Sequence, residues 1–126
     1  MNEKKSVFDI LMQNDIPKPQ TKRIKNKRLS KVWGADVVLI LQELPYSRVA
    51  ELQQEKEMNV HIMLAGVVDP NLRDQSLLDR HDAATPVELV KKLFLPGEVE
   101  DVSREIEKLC GYRVPTFETV DDVKKK

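Results

Sequence analysis

Apolar positions change their period several times along the chain, and each change marks an element. Val7, Phe8, Ile10 and Leu11 fall near one face of a helix over 6–14, with Met12 beside them. A helix that short is unstable alone, so it must dock on its own domain or on another protein. Pro17 and Pro19 stop it, and 17–26 reads as an extended, basic connector. Leu29 to Trp33 is short and mixed, Gly34-Ala35-Asp36 supplies a turn, and Val37-Val38-Leu39-Ile40-Leu41 is a continuous apolar run. Branched side chains in such a run suit a buried strand, although periodicity alone does not separate it from a buried helix. The pattern predicts a β-hairpin over 28–44, turning at Gly34. A lone hairpin is marginal in water, so helices should cover it.

From Pro45 onward the signals are helical. Ser47 is a candidate N-cap, with Val49, Leu52 and Lys56 following at helical spacing. The stretch 60–68 is apolar almost throughout and predicts a central buried helix, with a second strand as the alternative. Asp69-Pro70-Asn71 ends it. A short helix over 74–80 carries Leu77 and Leu78. Thr85-Pro86-Val87-Glu88 reads as a capping box in which Glu88 reaches back to the Thr85 amide. Leu89, Val90, Leu93 and Phe94 give the next helix its apolar face.

Pro96-Gly97 opens the last helix, and Glu98, Glu100 and Asp101 suit the positive end of its dipole. Val99, Val102, Ile106 and Leu109 are spaced 3, 4 and 3, which makes one clean face. Gly111 sits where a left-handed cap belongs. Segments 86–94 and 97–110 are thus a helical hairpin with almost no loop. The predicted fold is mainly α (α+β): a small helical domain with a short N-terminal β-hairpin and a C-terminal helical hairpin. Residues 1–28 form a short helix and basic arm, 29–112 the globular domain, and 113–126 a mobile tail ending Lys124-Lys125-Lys126.

A chain of 126 residues is one domain's worth, able to remove roughly two-thirds of its unfolded surface from water. Lys+Arg and Asp+Glu are equal at 21 each, so neither a wholly basic coat nor an acidic tail describes it. The charge is nevertheless uneven in place. Seven bases and no acid lie between Pro17 and Trp33: Lys18, Lys22, Arg23, Lys25, Lys27, Arg28 and Lys31. Glu98, Glu100, Asp101, Glu105 and Glu107 crowd the last helix, with only Arg104 opposing them. The single cysteine, Cys110, excludes an intramolecular disulfide and fits a reducing compartment. No apolar run reaches membrane-spanning length and no signal peptide follows Met1, so a cytosolic protein is expected.

Chemistry is not in evidence. His61 lies between Val60 and Ile62 in the apolar stretch, and no pairing of His61, His81 and Cys110 has metal-ligand spacing. Cys110 beside an apolar face reads as an inert thiol. The four glycines stand alone, so no phosphate loop exists, and no serine sits in a nucleophile elbow. Neither catalysis nor a metal nor a cofactor is expected. The basic segment with Trp33 nearby points to nucleic acid through phosphates and stacking, or to an acidic protein partner. Without a helix-turn-helix or ribonucleoprotein motif, the protein partner is the better reading. Phe8 and Leu11 of the short helix, with Lys22, Arg23, Lys25, Lys27 and Arg28, are the candidate partner-binding residues.

Three stretches carry a resemblance. They are Leu44-Pro45-Tyr46 through Glu51-Leu52, Val60-His61-Ile62 through Ala65-Gly66-Val67, and Ala84-Thr85-Pro86-Val87-Glu88-Leu89-Val90 leading into Leu95-Pro96-Gly97-Glu98 and Leu109-Cys110-Gly111-Tyr112. Together they resemble the XkdN-like tail assembly chaperones of tailed phages and defective prophages. The resemblance implies a cytoplasmic binding protein that coats the tape-measure protein before the tail tube polymerises and is absent from the finished virion. It implies no enzyme activity and no cofactor. The tail tube protein and weak self-association are further implied contacts, and membrane is not. In many such genes ribosomal frameshifting gives a longer product, for which the terminal lysine codons are a candidate site. A small nucleic-acid-binding or virion adaptor protein using the basic arm is the alternative.

Overall fold

The strand with the most apolar sequence lies at the centre of a three-stranded antiparallel sheet. The computed structural model describes residues 6–120. Strand β2, Val38–Gln42, buries Leu39 and Leu41 and leaves Val38, Ile40 and Gln42 half-buried. Its neighbours are β1, Thr21–Lys25, and β3, Val67–Asp69. Strand β1 runs antiparallel to β2 from Thr21 opposite Gln42 to Lys25 opposite Val38.

The hairpin exists, but its first strand is not 29–33. That stretch belongs to helix α2, Lys27–Trp33. Asn26 starts α2 by accepting the Leu29 amide on Oδ1 at 2.8 Å, and Gly34 ends it at φ 68°. The strand that pairs with β2 is the second half of the basic connector. It is extended, as its composition indicated, and it is tied into the sheet. A helix therefore joins the two strands where a turn at Gly34 was expected.

The helical half follows the sequence more closely. Helix α3, Tyr46–Leu52, starts from Pro45 with no side-chain cap, so Ser47 lies inside the first turn and caps nothing. Helix α4, Met58–Gly66, runs directly into β3, so the apolar stretch holds both a helix and a strand. Helix α5, Gln75–Arg80, is capped by Asp74 through the Ser76 amide at 2.8 Å. Helix α6, Pro86–Leu93, starts at Thr85, whose Oγ1 accepts the Glu88 amide at 3.1 Å. The return bond goes one residue further back than expected, from the Ala84 amide to Glu88 at 2.7 Å.

Helix α7, Pro96–Leu109, buries Val99, Val102 and Ile106. It packs chiefly on α4 and also on β2, while α6 packs on α4 from another side. One core of Leu29, Leu39, Leu41, Ile62, Met63, Val90 and Ile106 unites sheet and helices. Leu78, Ala83 and Leu89 form a smaller satellite. Where the C-terminal end of α4 meets α7, Gly66 approaches Ile106 so closely that a Cβ on Gly66 would lie 2.5 Å from Ile106 Cδ1.

Helix α1, Val7–Gln13, stands apart from this core. Ser6 caps it through the Asp9 amide at 3.1 Å, and it contributes no buried residue. The terminal lysines 124–126 lie outside the described residues.

Candidate partner-binding surfaces

The bases of the connector divide by strand alternation. Lys22 and Ile24 pair with Leu41 and Leu39, while Arg23 and Lys25 pair with Ile40 and Val38 on the opposite face. Lys22 reaches Glu105 of α7 at 2.5 Å. Arg28, on the first turn of α2, grips Glu98 with two bonds of 2.8 and 3.0 Å and also donates to the Leu93 carbonyl at 3.1 Å. Part of the uneven charge is thus neutralised within the molecule. The basic segment lies along the acidic helix. Lys25 makes a long, exposed pair with Asp36 at 3.6 Å. Among the described residues, Arg23 and Lys27 make no ion pair.

These contacts move the acids. The Arg28 guanidinium, helped by the Leu95 amide and Asn26, holds the Glu98 carboxyl down at about 2 against the opposing effect of burial. Lys22, with help from Lys108, holds Glu105 below the usual carboxylate range. Burial pushes the Cys110 thiol up, so it stays protonated and unreactive at neutral pH.

Phe8 and Leu11 are placed quite differently. Both are about 70% exposed (69% and 71%), and Val7, Ile10 and Met12 beside them are exposed too. At 100° per residue these five side chains spread over about 200° of the helix, twice the ~100° stripe of an ordinary surface helix. An apolar arc that wide fits a groove or the gap between two elements, not a flat surface.

Sequence reasoning missed further exposed apolar residues. Tyr46 is 94% exposed and Phe117 95%, with Val120 nearby in sequence and also exposed. Tyr46 helps to line a hollow of about 280 Å³ whose walls mix apolar Leu44, Val49 and Tyr112 with polar Glu43 and Gln53. The sequence signals for Tyr46 are its place directly after Pro45, where a helix begins, and its part in the first of the stretches that carry the resemblance. Among the described residues no three His, Cys, Asp or Glu side chains gather as metal ligands, and no helix is long and apolar enough to cross a membrane.

The family model of the phage XkdN-like tail assembly chaperone proteins matches residues 7–124. The chain belongs to that family. A solved crystal structure of the protein YqbN has the same fold, with a TM-score of 0.59 at 17% identity, covering 88% of this chain and 99% of that one. No curated protein matches. The XkdN-like match begins at Val7, the first residue of α1, so the exposed helix lies within the family segment and is not an unrelated extension.

Proposed function

We propose that this XkdN-like chaperone binds the tape-measure protein of a phage tail in the host cytoplasm before the tail tube polymerises, and that it leaves before the tail is complete. The observation that carries this reading is α1, a helix apolar over most of its circumference and wholly exposed. A tape measure is long and helical and exposes apolar stripes until the tube encloses it, and exposed apolar area on that scale aggregates. Helix-in-groove packing covers such stripes. Many weak contacts suit a protein that must later be displaced. Phe8 and Leu11 supply the apolar contact, with Arg23, Lys25 and Lys27 as the bases left facing solvent, while Lys22 positions β1 and Arg28 positions α2 against α7. The protein acts by binding alone, without catalysis or a cofactor.

The nucleic-acid alternative loses ground because Lys22 and Arg28 are already paired with acids of α7. The test is co-expression with the tape-measure protein, followed by size-exclusion chromatography of the soluble fraction at low and high salt. Soluble tape measure co-eluting with several copies of this chain, with little loss in salt, supports the reading. An insoluble tape measure with this chain eluting alone contradicts it. Steep loss of bound nucleic acid with salt would favour the alternative.

A further inference from the structure

The N-terminal arm and the C-terminal segment leave the body from the same end. Gln20, the last residue before β1, donates its amide to Glu43 at 3.0 Å and its side chain to the Leu109 carbonyl at 3.3 Å. Leu109 is the last residue of α7. Immediately beyond it, the Leu44 amide meets Cys110 Sγ at 3.4 Å, and the Tyr112 amide returns to the Glu107 carbonyl at 3.0 Å. Arg113, at φ 60°, is ion-paired with the buried Glu107, which pins the start of the C-terminal segment. Thr116 stays at this end too, since a Cβ on Gly111 would lie 3.9 Å from its methyl.

Both arms are apolar where they are free. The first carries Val7, Phe8, Ile10, Leu11, Met12 and Ile16, and the second carries Phe117 and Val120. The hollow lined by Tyr46 adjoins both roots, since Glu43, which accepts from Gln20, lines it together with Cys110 and Tyr112. The linker 14–20 does not fold the first arm back. Asn14 is extended at φ −114° and ψ 148°, and Pro17 and Pro19 favour extended backbone at Ile16 and Lys18. The seven residues of this linker span at most about 25 Å.

We propose that this pole is a clasp: α1 and the segment around Phe117 close from two sides on one amphipathic helix of the client, with Tyr46 and its hollow as the base. The proposal deepens the tape-measure reading and rests on it. Three observations select a helical apolar occupant. The 200° arc of α1 (about twice an ordinary stripe) requires neighbours on two sides, which a client helix and a second arm provide. Phe8, Leu11, Met12, Ile16, Phe117 and Val120 are each about 70% exposed or more, a cluster of apolar side chains of the kind that a partner covers. The arms are not net basic in sequence: residues 1–19 hold Glu3, Asp9 and Asp15 against Lys4, Lys5 and Lys18, and residues 114–126 hold Glu118, Asp121 and Asp122 against the three terminal lysines. That charge disfavours both an anionic membrane and nucleic acid.

The test uses the full chain co-expressed with the tape-measure protein. A photo-crosslinking residue replaces Leu11, Phe117 or Trp33 in turn. Trp33 is the control, since it is 54% exposed but lies beyond the far end of β1. Crosslinks from positions 11 and 117 to one short stretch of the client, with none from 33, are expected. F8D and F117D should each lower co-eluting client about tenfold, the equivalent of 1.4 kcal/mol. Crosslinks to distant stretches, or a strong crosslink from 33 with neither arm labelled, would overturn the clasp while leaving the chaperone reading intact. A client that stays insoluble with the unaltered chain overturns both.

Discussion

Arg28 and Glu98 join the start of α2 to the start of the acidic helix through two hydrogen bonds, 2.8 and 3.0 Å long. The same carboxylate accepts the Leu95 amide at 2.8 Å, so one side chain both caps α7 and anchors α2. Removing its charge loosens a cap and a tertiary contact together. At neutral pH, E98Q is expected to destabilise the protein by about 1 kcal/mol, a value discounted for the partial exposure of the pair. The Glu98 value is lowered from 4.5 to about 2, so its contribution is complete above pH 4.5 and fades as pH falls toward 2. Urea melts of both proteins across that range should converge in acid. A gap that stays constant with pH would contradict the assignment.

The close approach of Gly66 to Ile106 makes a second prediction. All three nearest atoms to an added Cβ belong to Ile106, at 2.5, 2.8 and 2.8 Å, and Ile106 is fully buried. Two of them are branch atoms at the root of the side chain, so rotation does not relieve both. G66A is expected to destabilise by about 1–3 kcal/mol. Adding I106A should recover part of that loss, although I106A alone costs about 2–5 kcal/mol. Strict additivity in a double-mutant cycle would show that the two residues do not meet.

Cys110 is a third point of test. Its thiol accepts the Leu44 amide and is pushed up by burial. Iodoacetamide at pH 8 is expected to label it more slowly in the native protein than in urea. Equal rates would place the thiol in solvent.

The helical half was legible because its chemistry is local. Thr85 and Pro86 start α6, and the 3, 4, 3 spacing of Val99, Val102, Ile106 and Leu109 gives the buried face of α7. Strand β1 was read only as extended, since an edge strand needs one buried face and Ile24 is its single apolar residue. Leu29 to Trp33 is short and mixed, and the turn expected at Gly34 places it in the hairpin, whereas the Asn26 cap and the left-handed Gly34 decide for a helix. Helix α4 is apolar on nearly every side, so periodicity could not separate it from a strand. The exposure of α1 was not legible at all. An apolar face announces that something covers it, and only the fold shows that its own domain does not. The pairing of Lys22 and Arg28 with α7 was equally hidden, because the partners lie 83 and 70 residues away.

Exposed residues of α1 should be dispensable for folding. Phe8 and Leu11 bury nothing in this chain, so the double substitution to Asp is expected to change stability by no more than about 0.5 kcal/mol. A large drop in the thermal midpoint would mean that α1 docks on its own domain.

The most direct measurement compares the unaltered chain with that double variant, F8D/L11D, each co-expressed with the tape-measure protein. The account predicts soluble, co-eluting tape measure with the first and an aggregated tape measure beside a folded, monodisperse partner with the second. Equal solubilisation by both proteins would contradict the claim that α1 is the contact, and failure of the unaltered chain would contradict the tape-measure reading itself.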